Sequence, residues 1–327
     1  DFKSLLFFLL IFILTADYLR NRRSGSFPPG PMAIPIIGNM LSLDRSRTHE
    51  SLTQLYNSFP LLMKHVPGPH QTVKKIWNEV KDFVRNELKE HRKNWDPSDP
   101  RDYIDCYLRE IQANSGQVDS TFQENLVICV MDLFVAGSET TSTTLRWAFL
   151  YMAKYPEIQE KVQAEIDRVV GQSRPLTMDD RVNLPYTDAV LHEIQRFGNI
   201  VPLSLPHVTN KAIQLEGYNI PKGIMIIPNL TSALFDKNEW ETPCTFNPGH
   251  FLDNEGKFRK RAAFIPFSAG KRLCLGENLA RMELFLFFTS FMQHFTFSMP
   301  AGVKPDMSFR FGVTLAPKPY EICAIPR

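Results

Sequence analysis

The chain has 327 residues, of which 43% are hydrophobic and 22% charged, an ordinary composition for a globular protein with a large apolar core. Its 37 lysines and arginines nearly balance its 35 aspartates and glutamates, so charge gives no indication of a nucleic-acid partner. The five cysteines are scattered, odd in number and never spaced as C-x-x-C. This argues against a disulfide framework and a structural zinc site, and predicts a reducing compartment.

An unbroken apolar run, Leu5–Leu14, begins the sequence and is followed by three arginines within residues 20–23. The run is shorter than a full membrane span and is also compatible with the core of a signal peptide. The basic residues follow the run and no small-x-small cleavage site is present, which favours a membrane anchor over residues 1–19 with a cytosolic basic flank. Because the sequence opens on Asp1, we expect part of the span to lie outside it.

Residues 20–35 are basic and then rich in proline. Pro28, Pro29 and Pro31 each fix their own φ angle and cannot donate an amide hydrogen bond, so they stiffen the backbone. The segment is predicted to be a rigid spacer between the anchor and a main domain over residues 36–327. An ordinary proline-rich linker is the alternative.

Apolar residues at helical spacing predict several helices in the main domain. The predicted helices are Thr72–Arg92, Asp102–Ile111, Thr121–Met152, Pro156–Val170, Tyr186–Phe197 and Glu277–His294. Thr121–Met152 is apolar on nearly all sides and is expected to be buried and central. Alternation and glycine turns predict short strands within Ala212–Leu230, and Phe311–Pro326 is interpreted as a terminal strand pair. The fold class is therefore mainly α with a minor β-sheet.

Cys274 lies in a glycine-flanked basic loop, "FSAGKRLCLGE", directly before a predicted helix. Gly270 and Gly276 allow tight backbone turns, while Arg272, Lys271 and the helix dipole favour a negatively charged sulfur. A single thiolate cannot close a zinc or iron–sulfur site, but it can supply the one axial bond of a haem. A small buried hydrophobe is the alternative for a lone cysteine. The joint pattern Phe-x-x-Gly-x-Arg-x-Cys-x-Gly favours the ligand.

This loop resembles the haem-binding signature of the cytochrome P-450 family, the haem-thiolate monooxygenases, at every defining position. The proline hinge and "FGVTLAPKP" are similar to the microsomal vertebrate family-2 members. The resemblance implies the cytochrome P-450 fold, haem b (iron protoporphyrin IX) as cofactor and Cys274 as the proximal iron ligand, since members of this family hold haem through a cysteine. Phe267, Gly270, Gly276 and Arg272 would complete the cofactor-binding loop.

The stretch "AGSETT" lies inside the long apolar helix. A glutamate and a threonine buried there are costly unless they have partners or a function. The resemblance implies that Thr140 hydrogen-bonds the oxygen being activated and that Glu139 relays protons, with Ala136 and Gly137 leaving room for the cofactor and oxygen. A Gly–Ser kink with a threonine bonded back to its own helix is the alternative.

Glu193 and Arg196 in "EIQR" are three residues apart and so lie on one helix face, where they can form an ion pair. An exposed pair of this kind would have little energetic effect. The resemblance implies a buried structural network completed by His250 of "FNPGHFLD". Many family members carry arginine at that point, so this contact would depend on the protonation or tautomer of His250.

A lone histidine such as His207 is usually a surface residue or a satisfied core residue. The resemblance implies that His207 and Arg272 contact the haem propionates through charge-assisted bonds. It also assigns an apolar substrate-lining set, which suits a lipophilic ligand. The set comprises Phe134, Ile200, Val201, Leu203, Phe311 and Val313.

The sequence departs from the family near Leu55–Tyr56, where early strands and several helices of the N-terminal half are missing. The Trp-x-x-x-Arg pair that holds haem propionates in the family is also absent from the sequence. The truncation predicts that the haem loses a propionate partner and apolar cover, so that water can reach the iron.

By resemblance, the chain is a monooxygenase that inserts one oxygen atom of O2 into a fatty acid, steroid or xenobiotic. Electrons would come from NADPH through a flavoprotein reductase, and cytochrome b5 is allowed as a further partner. Contact with membrane lipid follows from a single anchor in the endoplasmic reticulum, with the catalytic body on the cytosolic face. The alternative is an inactive truncated variant with poor haem binding, which at most competes for membrane or reductase sites.

Overall fold

The computed structural model describes residues 68–113 and 120–327, together with Ile11, Phe12 and Thr15. Those last three residues are helical and exposed. The rest of the predicted anchor, the predicted linker and the predicted junction near Leu55–Tyr56 lie outside the described residues.

Helices dominate the described chain and confirm the prediction of a mainly α protein. They are α1 Pro69–Lys93, α2 Tyr103–Ala113, α3 Ser120–Lys154, α4 Pro156–Val169, α5 Pro185–Gly198, α6 Leu230–Leu234 and α7 Glu277–His294. Short 3-10 helices add Met178–Asn183, Pro248–Phe251 and Gly270–Arg272. The predicted helices agree with the observed ones to within a few residues.

The ends of α4 and α5 follow from local sequence. Each begins with a proline, Pro156 and Pro185, at a position where the missing amide hydrogen costs no intrahelical bond. Helix α5 ends at Gly198 and is capped by Asn199, which takes a left-handed conformation with φ 39°. Asparagine tolerates this conformation, and the turn redirects the chain toward residue 200.

The strands are short and form antiparallel pairs. They are β1 His207–Val208, β2 Ile213–Leu215, β3 Tyr218–Ile220, β4 Met225–Ile226, β5 Phe295–Ser298, β6 Phe309–Arg310, β7 Ala316–Pro317 and β8 Cys323–Pro326. Among the described residues, β1 pairs with β4, β2 with β3, β5 with β8, and β6 with β7.

The predicted terminal strand pair is wrong in its partners. Strands β7 and β8 both lie within Phe311–Pro326, but β7 pairs with β6 and β8 pairs with β5. Helix α7 leads directly into β5, and the side-chain amide of Gln159 on α4 bonds both backbone groups of Phe297 in that strand. This fixes β5 against the core and makes it the partner available to β8.

The chain divides into two compact units, which are described separately. Of the described residues, one unit contains 68–86 and 207–226, and so holds the β1–β4 and β2–β3 pairs. The other contains 87–206 and 227–327, and so holds helices α2 to α7 and the remaining strand pairs.

The hydrophobic core of the larger unit lies where the second half of α3 meets α4, α5 and α7. Fully buried members include Leu150, Met152, Ile166, Phe285 and Phe288. A column of rings extends it toward residue 246: Tyr151 stacks on Phe246 with ring centroids 4.8 Å apart. Burial of such large apolar side chains contributes about 1.5–3 kcal/mol each.

Helix α3 is not buried throughout, which corrects the prediction of a wholly buried central helix. Leu126 and Met131 are buried toward its start, and the second half lies in the core, but residues 132–139 are exposed. In this stretch, Phe134 is 64% exposed. Helices α2, α4, α5 and α7 contact α3, but residues 132–139 stay exposed, so an apolar face remains open in its middle.

Within the described residues, one helical segment, Phe122–Lys154, is long and apolar enough to cross a membrane. Its second half packs against α4, α5 and α7 in the core. We therefore interpret α3 as a core helix.

Asp180 forms a charged cap on the 3-10 helix Met178–Asn183. It accepts two hydrogen bonds from the guanidinium of Arg174, at 2.7 and 2.9 Å, and one from the backbone N–H of Thr177 at 2.8 Å. The Arg174 bonds, followed by the Thr177 backbone bond, hold the pKa of Asp180 well below its usual range.

Replacing Asp180 with Asn should therefore lower stability by about 2 kcal/mol at neutral pH. The native state favours ionised Asp180, so its contribution is complete above the unfolded pKa of about 3.9 and is lost as the pH falls through the lower folded value. Urea unfolding of both proteins at stepped pH should show the difference shrinking below about pH 4. Asp179→Asn, at an exposed neighbour, is the control, and a pH-independent difference would contradict the assignment.

Candidate functional site

The loop before α7 presents the Cys274 thiol at the surface. Ser268 (φ 64°) and Gly270 (φ 78°) turn the backbone through the left-handed region, which glycine adopts without a steric penalty. The backbone N–H of Cys274 donates to the carbonyl of Phe267 at 3.0 Å and closes the loop. Gly276 is the cap residue of α7, so the cysteine precedes the positive end of the helix dipole by one short turn.

An open cavity of about 430 Å³ lies against this loop. Its lining contains Cys274 with two cations, Lys271 and Arg272, and the acid Glu277. Glu277 is paired with Arg281 at 2.9 Å, which offsets its charge. The loop therefore places one soft ligand beside net positive charge.

Arg281 on α7 holds the loop from behind. Its guanidinium lies 5.0 Å from the centre of the Phe267 ring, and it donates to Nε2 of His192 at 3.1 Å. Arginine can only donate, so Nε2 accepts and the proton of His192 lies on Nδ1, which donates to the carbonyl of Asp188 at 2.7 Å. This partly buried chain of contacts fixes the loop to α5.

The predicted threonine, Thr140, directly follows the exposed α3 stretch and is bonded within its own helix. The hydroxyl of Thr140 donates to the carbonyl of Ala136 at 2.7 Å. This is the geometry expected of a back-bonded helical threonine, and it leaves the lone pairs of the hydroxyl oxygen as acceptors. Ala136 and Gly137 are exposed on the same stretch, with no atom within 4 Å of a Cβ placed on Gly137.

Glu139 is bonded across the fold to the C-terminal segment. Its Oε1 accepts a hydrogen bond from the hydroxyl of Thr314 at 2.7 Å and from that of Thr143 at 3.4 Å. Two residues further along α3, the hydroxyl of Thr141 donates to Glu283 on α7 at 3.0 Å. The predicted acid is therefore joined to residues 311–315, and its helix is joined to the helix that follows the cysteine.

Most of the predicted substrate-lining residues come together around this segment. The backbone N–H of Leu315 donates to the carbonyl of Ile200 at 2.8 Å, which joins the turn containing Phe311 and Val313 to the turn after α5. Val201 is half-buried and Leu203 is exposed in the same turn. Phe134 is exposed on α3 within the same unit.

His207 lies in the smaller unit. It is the first residue of β1, pairs with Ile226 and is half-buried. Arg272 and Cys274 belong to the other unit, and the predicted contact of His207 with a propionate stays a prediction.

Glu193 and Arg196 form a completely buried bidentate ion pair, with both N–O distances 2.7 Å. The other guanidinium protons of Arg196 go to carbonyls of Leu234, Pro243 and Thr245, so all five of its N–H donors are used. The pair thus joins α5 to α6 and to the loop after residue 240.

His250 completes the network and contacts Glu193 from its Nδ1 at 3.2 Å. Its Nε2 lies 3.2 Å from the backbone N–H of Thr242, which can only donate. Nε2 is therefore the acceptor, and the proton lies on Nδ1, where it donates to Glu193. Histidine thus makes one donor contact at a position where an arginine would offer several.

Two parts of the site were not foreseen from the sequence, namely Thr314 and the pair Arg281–His192. Thr314 is a lone polar residue in an apolar segment, which is the only local signal of a specific contact. Arg281 stands four residues after Glu277, a spacing that indicates a helical ion pair but not the contact with His192.

One further cluster of possible metal ligands occurs in the described part of the chain, formed by His91, Asp102 and Asp105. Arg101 binds both oxygens of Asp105, at 2.6 and 3.0 Å, and His91 bonds Asp102 at 2.7 Å. The charges are thus already paired within the cluster.

The cysteine loop fits a flat, apolar, anionic-edged cofactor such as haem. The loop offers a single accessible thiol, and one thiol is enough for the single protein ligand that a haem iron requires. The side chain of Leu275 is 91% exposed, and a bound apolar ring would bury this apolar surface. Lys271 and Arg272 supply cations for carboxylates at the edge of such a ring. Further exposed apolar side chains nearby are Leu273, Leu279 and Met282.

Comparison with known proteins agrees with this chemistry. The profile of the cytochrome P450 family matches residues 46–324. Cytochrome P450 2J2 of Homo sapiens is 53% identical over 295 residues, which is 90% of this chain and 58% of the relative. Cytochrome P450 2J5 of Mus musculus is 53% identical over 85% of this chain and 55% of the relative. Cytochrome P450 2C23 of Rattus norvegicus is 46% identical over 88% of this chain and 59% of the relative.

The chain thus spans a little over half the length of the curated relatives it matches. The matched part contains the cysteine loop, the exposed α3 stretch and the buried Glu193–Arg196 network.

Proposed function

The chain belongs to the cytochrome P450 family, and from this premise we propose that it is a haem-thiolate monooxygenase with Cys274 as the proximal ligand of haem b. Haem held by a thiolate supplies activation of dioxygen, and the net reaction inserts one oxygen atom into a lipophilic substrate while the other leaves as water. The observation that carries the proposal is the accessible Cys274 thiol at the start of α7, beside Lys271 and Arg272.

Cys274 would contribute electron density through its sulfur. The N-terminal end of α7 and the two neighbouring cations, Lys271 and Arg272, lie beside this sulfur. The Arg281–His192 contacts hold the loop in position, and the bond from the Cys274 N–H to Phe267 fixes its closing turn. Arg272 would pair with a propionate, and His207 is proposed for the same role. Phe267, Gly270 and Gly276 would shape the loop against the cofactor.

Glu139 and Thr140 would deliver protons to the reaction. The back-bonded hydroxyl of Thr140 keeps its lone pairs free to accept a hydrogen bond, and the exposed Glu139 lies one residue away on the same helix. Ala136 and Gly137 leave open space along this helix for small molecules.

An apolar substrate of the fatty acid, steroid or xenobiotic class would lie against Phe134, Ile200 and the turn of Phe311 and Val313. Electrons would come from NADPH through a flavoprotein reductase, and cytochrome b5 is proposed as a second partner. We place the protein at the cytosolic face of the endoplasmic reticulum, held in the lipid by the predicted N-terminal anchor.

A carbon monoxide difference spectrum of the reduced, haem-loaded chain tests the proposal. A thiolate-type Soret band is expected, because the axial ligand is sulfur. Only an imidazole-like band, or no band, would reject the proposal for this chain.

The proton-delivery role of Thr140 gives a separate prediction. Thr140→Ala should leave the difference spectrum intact while diverting reducing equivalents to peroxide, with roughly a hundredfold loss of product because a general acid–base contribution is removed. Product and peroxide formed per NADPH consumed measure the effect. Ser142→Ala, which removes an exposed back-bonded hydroxyl from the same helix, is the control, and unchanged coupling in Thr140→Ala would reject the role.

A second candidate function is favoured by the exposure of residues 132–139 of α3. Water with free access to this stretch would compete with proton delivery to the substrate reaction. In this case the chain binds haem poorly, forms no product, and acts only by occupying reductase or membrane sites. Competition with a full-length family member for its reductase, by a chain that gives no thiolate-type band, would support this candidate.

A further inference from the structure

We propose that Thr314 is a positioning residue. It holds the carboxylate of Glu139 in a fixed position relative to the substrate-lining turn Phe311–Val313. The contact itself is a property of the fold. Its consequence for turnover rests on the function proposed above.

The hydrogen bond between Thr314 and Glu139 is short, and its donor is buried. Thr314 is 2% exposed, and its hydroxyl donates to Oε1 of Glu139 at 2.7 Å. The buried hydroxyl of Thr143 lies 3.4 Å from both Thr314 Oγ1 and the same carboxylate oxygen. Both hydroxyls are buried, so on the threonine side little water competes for these bonds.

The two oxygens of Glu139 therefore differ. Oε1 accepts from two threonine hydroxyls, whereas Oε2 accepts no hydrogen bond from the part of the chain that the structure describes. A carboxylate fixed through one oxygen retains a defined direction for the other. Oε2 is thus the atom available to take or give a proton on the exposed side of α3.

The same threonine lies within the segment that carries the turn. Directly after it, the N–H of Leu315 donates to Ile200 at 2.8 Å, and its carbonyl accepts from the indole N–H of Trp147 at 2.8 Å. Directly before it, Val313 is 84% exposed. The pairing of β6 with β7 closes the base of this turn, and Thr314 and Leu315 fix its second half, while Val313 stays exposed.

A ligand that displaces the turn must therefore act on the Thr314–Glu139 bond. Coupling of this kind makes the fit of the substrate and the orientation of the proton-relaying carboxylate interdependent. A substrate that fits the turn leaves Oε2 oriented, and one that displaces the turn weakens proton delivery.

The experiment compares Thr314→Val, which keeps the branched shape but removes the hydroxyl, with Thr314→Ser, which restores it. Thr289→Val is the matched control, since Thr289 is also buried but bonds only carbonyls of its own helix. Amide hydrogen exchange at Leu315 is measured in the full chain. In the haem-loaded chain, KM, kcat and the ratio of product to peroxide are measured with a fatty acid.

Thr314→Val should speed exchange at Leu315 roughly tenfold or more, because a bond to a charged group is lost. Thr314→Ser and Thr289→Val should exchange like the parent. The Thr314→Val variant should also raise KM and the peroxide share together. Combining it with Glu139→Leu should speed exchange no further than Thr314→Val alone, because both changes remove the same contact.

Unchanged exchange in Thr314→Val, or an additive effect of the double variant, overturns the inference whatever the activity. Changed exchange with unchanged KM and product ratio overturns the coupling to turnover. If the parent chain forms no product at all, the proposed function fails, while the exchange pattern still decides the contact between Thr314 and Glu139.

Discussion

Replacing Cys274 with Ala is expected to abolish the thiolate-type Soret band of the reduced chain with carbon monoxide. Cys274 is the cysteine that lines the cavity beside Lys271 and Arg272, and the described lining offers no second sulfur. Removing the thiol leaves no soft axial ligand, so the band should be lost completely and product formation with it. The spectrum and a haem titration of the purified chain measure both effects.

Cys244→Ala supplies the matched control, because Cys244 is also exposed but lies outside that cavity. It should keep the full band. Circular dichroism would establish that the Cys274→Ala chain is folded, since the small side chain faces the surface and removes little packing. A thiolate-type band that persists in folded Cys274→Ala would refute the assignment of the ligand.

The second large effect is on stability. Replacing Arg196 with Ala should lower the free energy of unfolding by about 3–5 kcal/mol, because the carboxylate of Glu193 is left buried without its partner. Three carbonyl groups, of Leu234, Pro243 and Thr245, lose their donor at the same time. Urea unfolding followed by circular dichroism measures the loss.

An exposed pair provides the comparison. Lys257 and Glu255 are 2.7 Å apart with both side chains more than 70% exposed, so Lys257→Ala should change stability by less than about 1 kcal/mol. Where Arg196→Ala fails to fold, Glu193→Gln gives a milder test, since it keeps the shape and removes the charge. Equal effects of the buried and exposed changes would contradict a structural role for the network.

Much of the fold could be predicted from local sequence. Helix α7 has the predicted limits, Glu277 and His294, because its glycine start and its apolar pattern are both local signals. The family prediction is confirmed by the profile match. The buried contact between Glu193 and Arg196 follows from their spacing once the helix is known, whereas their burial depends on the loop that packs over them.

The incorrect structural predictions share one physical cause. Contacts between residues that are far apart in the sequence leave no periodic pattern in it. An apolar pattern on all sides predicted burial of α3, but exposure at Phe134 depends on which elements lie nearby. The strands of the terminal segment were predicted, but their partners were not, because no strand was predicted at the position of β5. Thr314 could not be matched to Glu139 from spacing alone.

The bond between Glu139 and Thr314 joins positions 175 residues apart, and this distance bears on how the molecule acquires its structure. Individual helices form quickly from local interactions, whereas a contact over so long a span closes only after most of the chain is already ordered. The region around Glu139 should thus be among the last to assemble during folding. The apolar middle of α3 is exposed even in the folded chain, so self-association through it competes with productive folding.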